Sequence, residues 1–212
     1  MTNTPPTTLF IVRHGETVWN IEQRLQGHLD SPLTELGIAQ AEATAERLVE
    51  ENLEILYSSD SGRAMVTAQA IAERAGLEVL PDAGLRERNL GVFQGLTYAE
   101  AEAKYPEEIT RVKDIDFVIP EGESARQKEE RGIAAIETIA QRHPGKKIGI
   151  VTHGGIVGSL LRRVMHVPDD APTGFMTHNG SIGIFQMDNG TLRLSTWGDI
   201  RHLRNIGTKD DF

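Results

Sequence analysis

The stretch Thr8 to Asn20, TLFIVRHGETVWN, decides how the rest of the 212-residue chain is read. Its apolar run from Leu9 to Val12 is short, ends on a β-branched residue and gives way at once to Arg13, His14 and Gly15. That pattern predicts a buried strand opening into a polar loop. The design returns in the second half, where Ile148 to Thr152 runs into His153, Gly154 and Gly155. In an open parallel sheet ligands gather beyond the carboxyl ends of the strands, where loops converge over a rigid base. Two strands are therefore expected to bring one histidine each to the same sheet edge.

Outward from these strands the pattern alternates. Asp30, Ser31 and Pro32 mark a turn, and Thr34 is placed to cap a helix whose Ile38, Ala41, Ala45, Leu48 and Val49 share one face. Ile55 to Tyr57 reads as a strand, followed by the polar loop SSDSGR and a helix striped by Ala64, Ala68, Ile71, Ala72 and Ala75, with Gly76 as its stop. Leu77 to Leu80 is a brief strand closed by Pro81. From Asn89 to Glu121 the residues Gly91, Gly95, Pro106 and Pro120 punctuate short helical pieces such as Tyr98 to Tyr105, which predicts a lid or insertion. Gly122 to His143 reads as a long helix with Ile133, Ile136 and Ala140 inward, and the helix after Thr152 carries Ile156, Val157, Leu160, Leu161, Val164 and Met165. Ser181 to Met187 and Thr191 to Trp197, joined by Asp188, Asn189 and Gly190, have the form of a hairpin at one sheet edge. Strands alternating with helices predict an α/β chain, a three-layer α/β/α sandwich on a mostly parallel central sheet. One domain over residues 1–212, with the insertion at about 89–121, fits this length.

Composition narrows the function classes. The chain is 39% apolar and 25% charged, as ordinary globular proteins are. A formal net charge of -9 argues against a general nucleic-acid or anionic-membrane binder, since whole-molecule repulsion opposes both. Any anionic ligand must be met by a local cationic pocket. There are no cysteines, so disulfides and thiolate chemistry are out. Residues 1–7 (MTNTPPT) read as a frayed tail without a charged start or apolar core, and no apolar run approaches ~20 residues. Neither a signal peptide nor a membrane span is expected, and a cytoplasmic location is the default. A homodimer stays open.

A lone histidine is more often a structural hydrogen-bonding residue than a catalyst, and His28, His143, His166, His178 and His202 are read that way. His14 and His153 differ because each follows an apolar strand and precedes glycine, which would let a substrate approach the backbone closely. Metal binding is the obvious rival, but there is no close ligand spacing of the HExxH kind and Arg13 would repel a cation, so no metal is expected. Arginine instead offers a planar fork matching phosphate oxygens. Arg63 falls in the first turn of an expected helix, where a cation is misplaced unless it faces an anion. With Arg13, His153 and Asn20 as an amide donor, it reads as part of a phosphate cage.

Five blocks, RHGETVWN, SSDSGRAMVTA, LRERNLGVFQG with Glu87, PEGES from Pro120 to Ser124, and VTHGG, together resemble the histidine phosphatase superfamily, the branch of cofactor-dependent phosphoglycerate mutases and broad-specificity phosphatases. The resemblance runs from Leu9 to about Ser181. It implies a phosphoglycerate mutase-like sandwich, a phosphohistidine mechanism without metal or other cofactor, His14 as nucleophile and Glu87 as proton donor. It also implies Arg13, Arg63 and His153 around the phosphoryl group, and Asn20, Gln26, Gly27 and Gly154 lining the phosphate or substrate site. For Glu87 the plainer alternative is an exposed ion pair with Arg86 or Arg88.

The expected activity is hydrolysis of a small phosphomonoester metabolite. A phosphoglycerate mutase is the alternative, because the Glu87-Arg88 pair partly matches the mutase pattern. Mutases expand the segment after the acid, and here Glu123 follows Glu87 by only 36 residues, which resembles the shorter phosphatases. A non-catalytic phospholigand sensor is the third reading, with no need for both nucleophile and acid. The 89–121 segment is expected to set substrate choice through Phe93, Tyr98, Tyr105, Phe117 and Val118, and no Lys/Arg cluster within it points to a second anion site.

Overall fold

The apolar run at 9–12 is unbroken because both faces of its strand are covered. The computed structural model describes residues 5–171 and 175–208. In chain order the elements are β1 (Thr7–Arg13), α1 (Val18–Ile21), α2 (Glu35–Val49), β2 (Ile55–Ser58), α3 (Gly62–Ala75), β3 (Val79–Pro81), α4 (Tyr98–Lys104), α5 (Pro106–Thr110), α6 (Ala125–Arg142), β4 (Lys147–Thr152), α7 (Gly154–Val164), β5 (Ile182–Asp188) and β6 (Thr191–Asp199). The six strands form one sheet in the order β3-β2-β4-β1-β5-β6. β3, β2, β4 and β1 are mutually parallel, while β5 and β6 complete one edge antiparallel, the expected hairpin.

Alternation along β1 sorts its side chains between two cores. Leu9 and Ile11 join Ile148 and Ile150 of β4 beneath Ile136, Ile139, Ile156 and Leu160 from α6 and α7. Phe10 and Val12 turn the other way, onto Ala45 and Leu48 of α2 and Ala64, Ala68 and Ile71 of α3. The result is the three-layer α/β/α sandwich. Residues 91–119 hold a third, smaller cluster of Phe93, Ala101, Ile109, Phe117 and Ile119. That segment docks on the N-terminal half through a bridge between Arg24 and Thr97 and the Leu25 N–H bond to the Leu96 carbonyl at 2.9 Å. Among the described residues, no helix is long and apolar enough to cross a membrane.

Several local expectations are corrected. The tail does not extend to Thr7, which begins β1, is 3% exposed and donates its hydroxyl to the His143 carbonyl; residues 1–4 lie outside the described residues. Ile38 and Val49 of α2 are exposed, because its buried stripe runs instead through Gly37, Gln40, Ala41, Thr44 and Leu48. Gln40 accepts from the Glu16 N–H and Thr44 donates to the Gly180 carbonyl, so α2 is rotated to serve the loop after β1. Met165 falls past the end of α7 and is 58% exposed. The helix expected from Gly122 begins at Ala125 with Ser124 as its cap, because Glu123 is held away by backbone and side-chain bonds to Asn89. β3 starts two residues late and takes in Pro81, as an edge strand can.

Burial predicts where stability sits. Leu160→Ala removes a fully buried side chain from the α6–α7 core and should cost about 2–5 kcal/mol in urea unfolding, whereas Met165→Ala should cost under about 1 kcal/mol.

Candidate active site

The register of β1 against β4 builds the site. Arg13 lies opposite Thr152, so the next residues of both strands, His14 and His153, leave the sheet side by side with ring centroids 5.2 Å apart. The loop carrying His14 is tied down on every side. Its N–H donates to the Thr152 carbonyl at 3.1 Å, and its own carbonyl accepts from Asn179 Nδ2 at 2.9 Å. The Gly15 N–H donates to Thr67 Oγ1 of α3 at 3.1 Å.

Of the glycines that directly follow the histidines, Gly154 lines the cavity, whereas Gly15 has a different purpose from the substrate access expected of it. A β-carbon on Gly15 would overlap the Gly37 carbonyl oxygen, so this glycine lets α2 close on the loop. A β-carbon on Gly155 would occupy the place of the Glu87 carboxylate.

Both imidazoles are buried and neutral. His14 Nδ1 lies 2.8 Å from the Gly15 carbonyl, which can only accept, so Nδ1 carries the proton and Nε2 keeps its lone pair. Burial first, then the Arg63 and Arg13 charges, hold the His14 pKa well below the ordinary histidine value against a small opposing effect of that carbonyl. His153 is pulled well below it too, by burial and then by Arg63, His14, Arg13 and His28. Its Nε2 bonds to Ser59 Oγ at 2.8 Å, while its buried Nδ1 has no hydrogen-bond partner among the described residues.

Arg63 sits in the first turn of α3, as expected, but already faces an anion that the sequence reading passed over as a turn residue. Asp30 Oδ1 accepts from Arg63 Nη1 at 3.1 Å and from its backbone N–H at 3.2 Å, substituting for Ser61, whose side chain makes no cap bond. The Leu29 and Gly27 carbonyls take further bonds from the guanidinium at 2.8 Å each. Arg63 Nε is left as a buried donor without a partner among the described residues. Arg13 Nη1 donates to the Thr177 carbonyl.

Glu87 makes no ion pair with either neighbour: Arg86 binds Asp60, and Arg88 donates to the carbonyls of Glu123, Val112 and Phe117. Its Oε2 accepts from the Gly155 N–H at the start of α7 and its Oε1 from the Arg88 N–H, both at 2.8 Å. Arg131, paired with Glu123 at 2.5 Å, holds the Gly84, Arg86 and Glu87 carbonyls and so fixes the backbone under the acid.

Every site residue named from the sequence lines one cavity of about 700 Å³. Asn20 Oδ1 is occupied by the Thr17 cap, leaving its amide NH₂ for a ligand, and Gln26 Nε2 braces Thr17 Oγ1 at 2.9 Å. Gly154 lines the cavity beside Arg13. His28 and His202 donate to backbone carbonyls, and His143 bonds to the Tyr57 hydroxyl, as structural histidines do. Of the expected apolar wall only Tyr98 is present; Phe93 and Phe117 are buried in the small core with Tyr105 packed against it, and Val118 is exposed. Leu25, Leu90, Val112, Phe175 and Met176 form the wall instead. Arg24, Arg88, Lys113 and Lys128 also line the cavity, and of these four only Lys113 comes from the 89–121 segment, in which no cation cluster was expected. Sequence reading also missed Ser59, Thr67, Lys128, Arg131 and Asn179. Only Ser59 stood in a stretch singled out as a polar loop; the others act through contacts distant along the chain.

A fold of this kind with two strand-end histidines between arginines defines a class. The chain belongs to the histidine phosphatase superfamily (branch 1), whose family model matches residues 9–200. It is 42% identical over 205 residues to a phosphoglycerate mutase-like protein 4 of Arabidopsis thaliana, covering 94% of this chain and 88% of the relative. It is 36% identical over 206 residues to a metal-independent phosphoserine phosphatase of the same plant, covering 95% and 85%. Among solved structures, Bacillus stearothermophilus YhfR superposes with a TM-score of 0.86 at 33% identity, over 93% of this chain and all (100%) of that one.

The neutral rings set a pH dependence. A histidine whose folded pKa is depressed lends stability that is full above its unfolded value, ~6.5, and is lost as pH falls through the folded value, because only the unfolded chain takes up the proton in between. Burial lowers His28 and His202 in the same sense. Stability should therefore fall between pH 6.5 and 5, by up to about 1.4 kcal/mol per pH unit for each ring. Replacing His14 and His153 together by glutamine should flatten that slope in denaturant titrations run at each pH.

Proposed function

We propose that this protein hydrolyses a small phosphomonoester through a phosphohistidine on His14. One observation carries the reading: the proton of His14 is fixed on Nδ1 by the Gly15 carbonyl, so Nε2 presents its lone pair in a cavity shared with Arg13, Arg63, His153 and Glu87. Nε2 attacks phosphorus as the bond to the alcohol oxygen breaks. The phosphoryl oxygens meet the two guanidinium groups and the unpartnered donors Arg63 Nε and His153 Nδ1, which stabilise charge as it moves. His153 carries its proton on Nδ1 when the Ser59 hydroxyl donates to Nε2.

Glu87, as a carboxylic acid, gives its proton to the leaving oxygen. The resulting carboxylate takes one from water, which attacks the phosphohistidine and releases phosphate, breaking the N–P bond and restoring the acid. No metal enters: among the described residues Glu87 is the one carboxylate lining the cavity, set among many cations, a donor set suited to phosphate oxygens. The 36 residues from Glu87 to Glu123 and the phosphatase named among its relatives favour hydrolysis over isomerisation.

The test is release of phosphate from a panel of small phosphomonoesters beside a coupled assay for phosphoglycerate isomerisation. His14→Ala should abolish release. Glu87→Gln should slow alkyl phosphates by about 10²- to 10⁴-fold and an aryl phosphate with a good leaving group much less. Isomerisation much faster than release would make the protein a mutase, and near-normal turnover by His14→Ala would remove the mechanism.

A further inference from the structure

Lys128 is a buried charge that the phosphoryl cage does not use. It lies on α6 and is 8% exposed, yet it lines the cavity. Its Nζ donates to the Gly155 carbonyl at 2.8 Å and to the Ser159 hydroxyl of α7 at 2.6 Å. An ammonium carries three N–H groups, and both of these acceptors are neutral. Among the described residues no carboxylate pairs with it. A lysine is almost never buried without a partner of opposite charge, because desolvation of the ammonium is otherwise uncompensated. Burial pulls its pKa below the ordinary lysine range, against the opposing charges of Glu87 and Glu129, neither of which forms an ion pair with it among the described residues.

Its location says which part of a ligand would supply the missing charge. Gly155 holds Glu87 through its N–H and Lys128 through its carbonyl. Lys128 thus stands beside the acid, on the side where the leaving alcohol must lie. Arg88, whose charge also lowers the proton affinity of Lys128, spends its guanidinium donors on three carbonyls and, among the described residues, forms no ion pair with a carboxylate. A second phosphate would call for several free donors, whereas one remaining N–H beside a second positive charge suits a carboxylate.

We infer that Lys128 is a specificity-determining residue that binds a carboxylate on the alcohol part of the substrate, so that the preferred substrates are phosphomonoesters bearing a carboxylate a few atoms from phosphorus. This rests on the phosphohydrolase reading above. Pairing a desolvated ammonium with such a group favours the carboxylated ester, and truncating one partner of a buried charged pair is among the costlier changes a binding site can suffer.

Two esters that differ only in that group test it: 3-phosphoglycerate and glycerol 3-phosphate. The wild type should favour 3-phosphoglycerate in kcat/KM by about tenfold or more. Lys128→Met and Lys128→Gln should each collapse that ratio toward one, and Lys128→Arg should retain most of it. General damage to the site lowers both rates and leaves the ratio alone, so an unchanged ratio in the Met and Gln variants overturns the inference, as does a wild type without preference. A higher preference for a bisphosphate than for 3-phosphoglycerate would also overturn it. Should wild type fail to hydrolyse even p-nitrophenyl phosphate, the phosphohydrolase reading fails instead. Calorimetric binding of the two esters to the His14→Ala protein then reads the same preference without turnover, and equal affinities contradict the role of Lys128.

Discussion

The pairing of β1 with β4 is the constraint on which the site depends. A parallel register fixes which residues leave the sheet together, and here it sets Arg13 against Thr152 and hence His14 beside His153. A slip by one residue would send both apolar strands' side chains to the wrong layers, since Leu9 and Ile11 belong to one core and Phe10 and Val12 to the other. The hydrophobic sorting that makes the sandwich therefore also aligns the two imidazoles. Hydrogen bonds from Asn179 and to Thr67 then hold the loop where the strand leaves it.

Around that junction the protein concentrates positive charge in a chain whose net charge is -9. Carbonyls take much of the hydrogen bonding of these arginines: those of Glu123, Val112 and Phe117 for Arg88, while Arg63 and Arg131 add the Gly27 and Leu29 carbonyls and the Gly84, Arg86 and Glu87 carbonyls to their pairs with Asp30 and Glu123. Carbonyl dipoles satisfy a guanidinium without neutralising it, so the field remains available to a ligand. The same field, with burial, keeps the imidazoles unprotonated, and a nucleophilic nitrogen must be so. Acidic surface elsewhere leaves this cavity as a local sink for anions.

Much of this was legible in the sequence because it is written locally. The strand ends, the RHG and THGG loops, the Thr34 cap and Gly76 stop all announce themselves within a few residues. So did the meeting of Arg13, His14 and Arg63 at one cavity, since Arg13 adjoins His14 and Arg63 opens a helix. Failures came where the deciding contact is distant. Ile38 looked inward by periodicity, but Gln40 and Thr44 won that face through bonds to Glu16 and Gly180. Asp30 read as a turn residue until α3 placed Arg63 against it. Phe93 and Phe117 looked like substrate walls, yet the 91–119 segment needs them for its own core. Lys128 gave no signal, because a charged residue on a helix is ordinarily solvated and only α7 shows that this one is not.

The central claim is that the lone pair of His14 Nε2 is where phosphorus binds. A crystal structure with orthovanadate, which takes the trigonal-bipyramidal shape of the transferring phosphoryl group, tests it most directly. The account predicts vanadium bonded to His14 Nε2, with equatorial oxygens in hydrogen-bond reach of Arg63 Nε and His153 Nδ1. Vanadate bound through Nδ1, or seated away from His14, would contradict it.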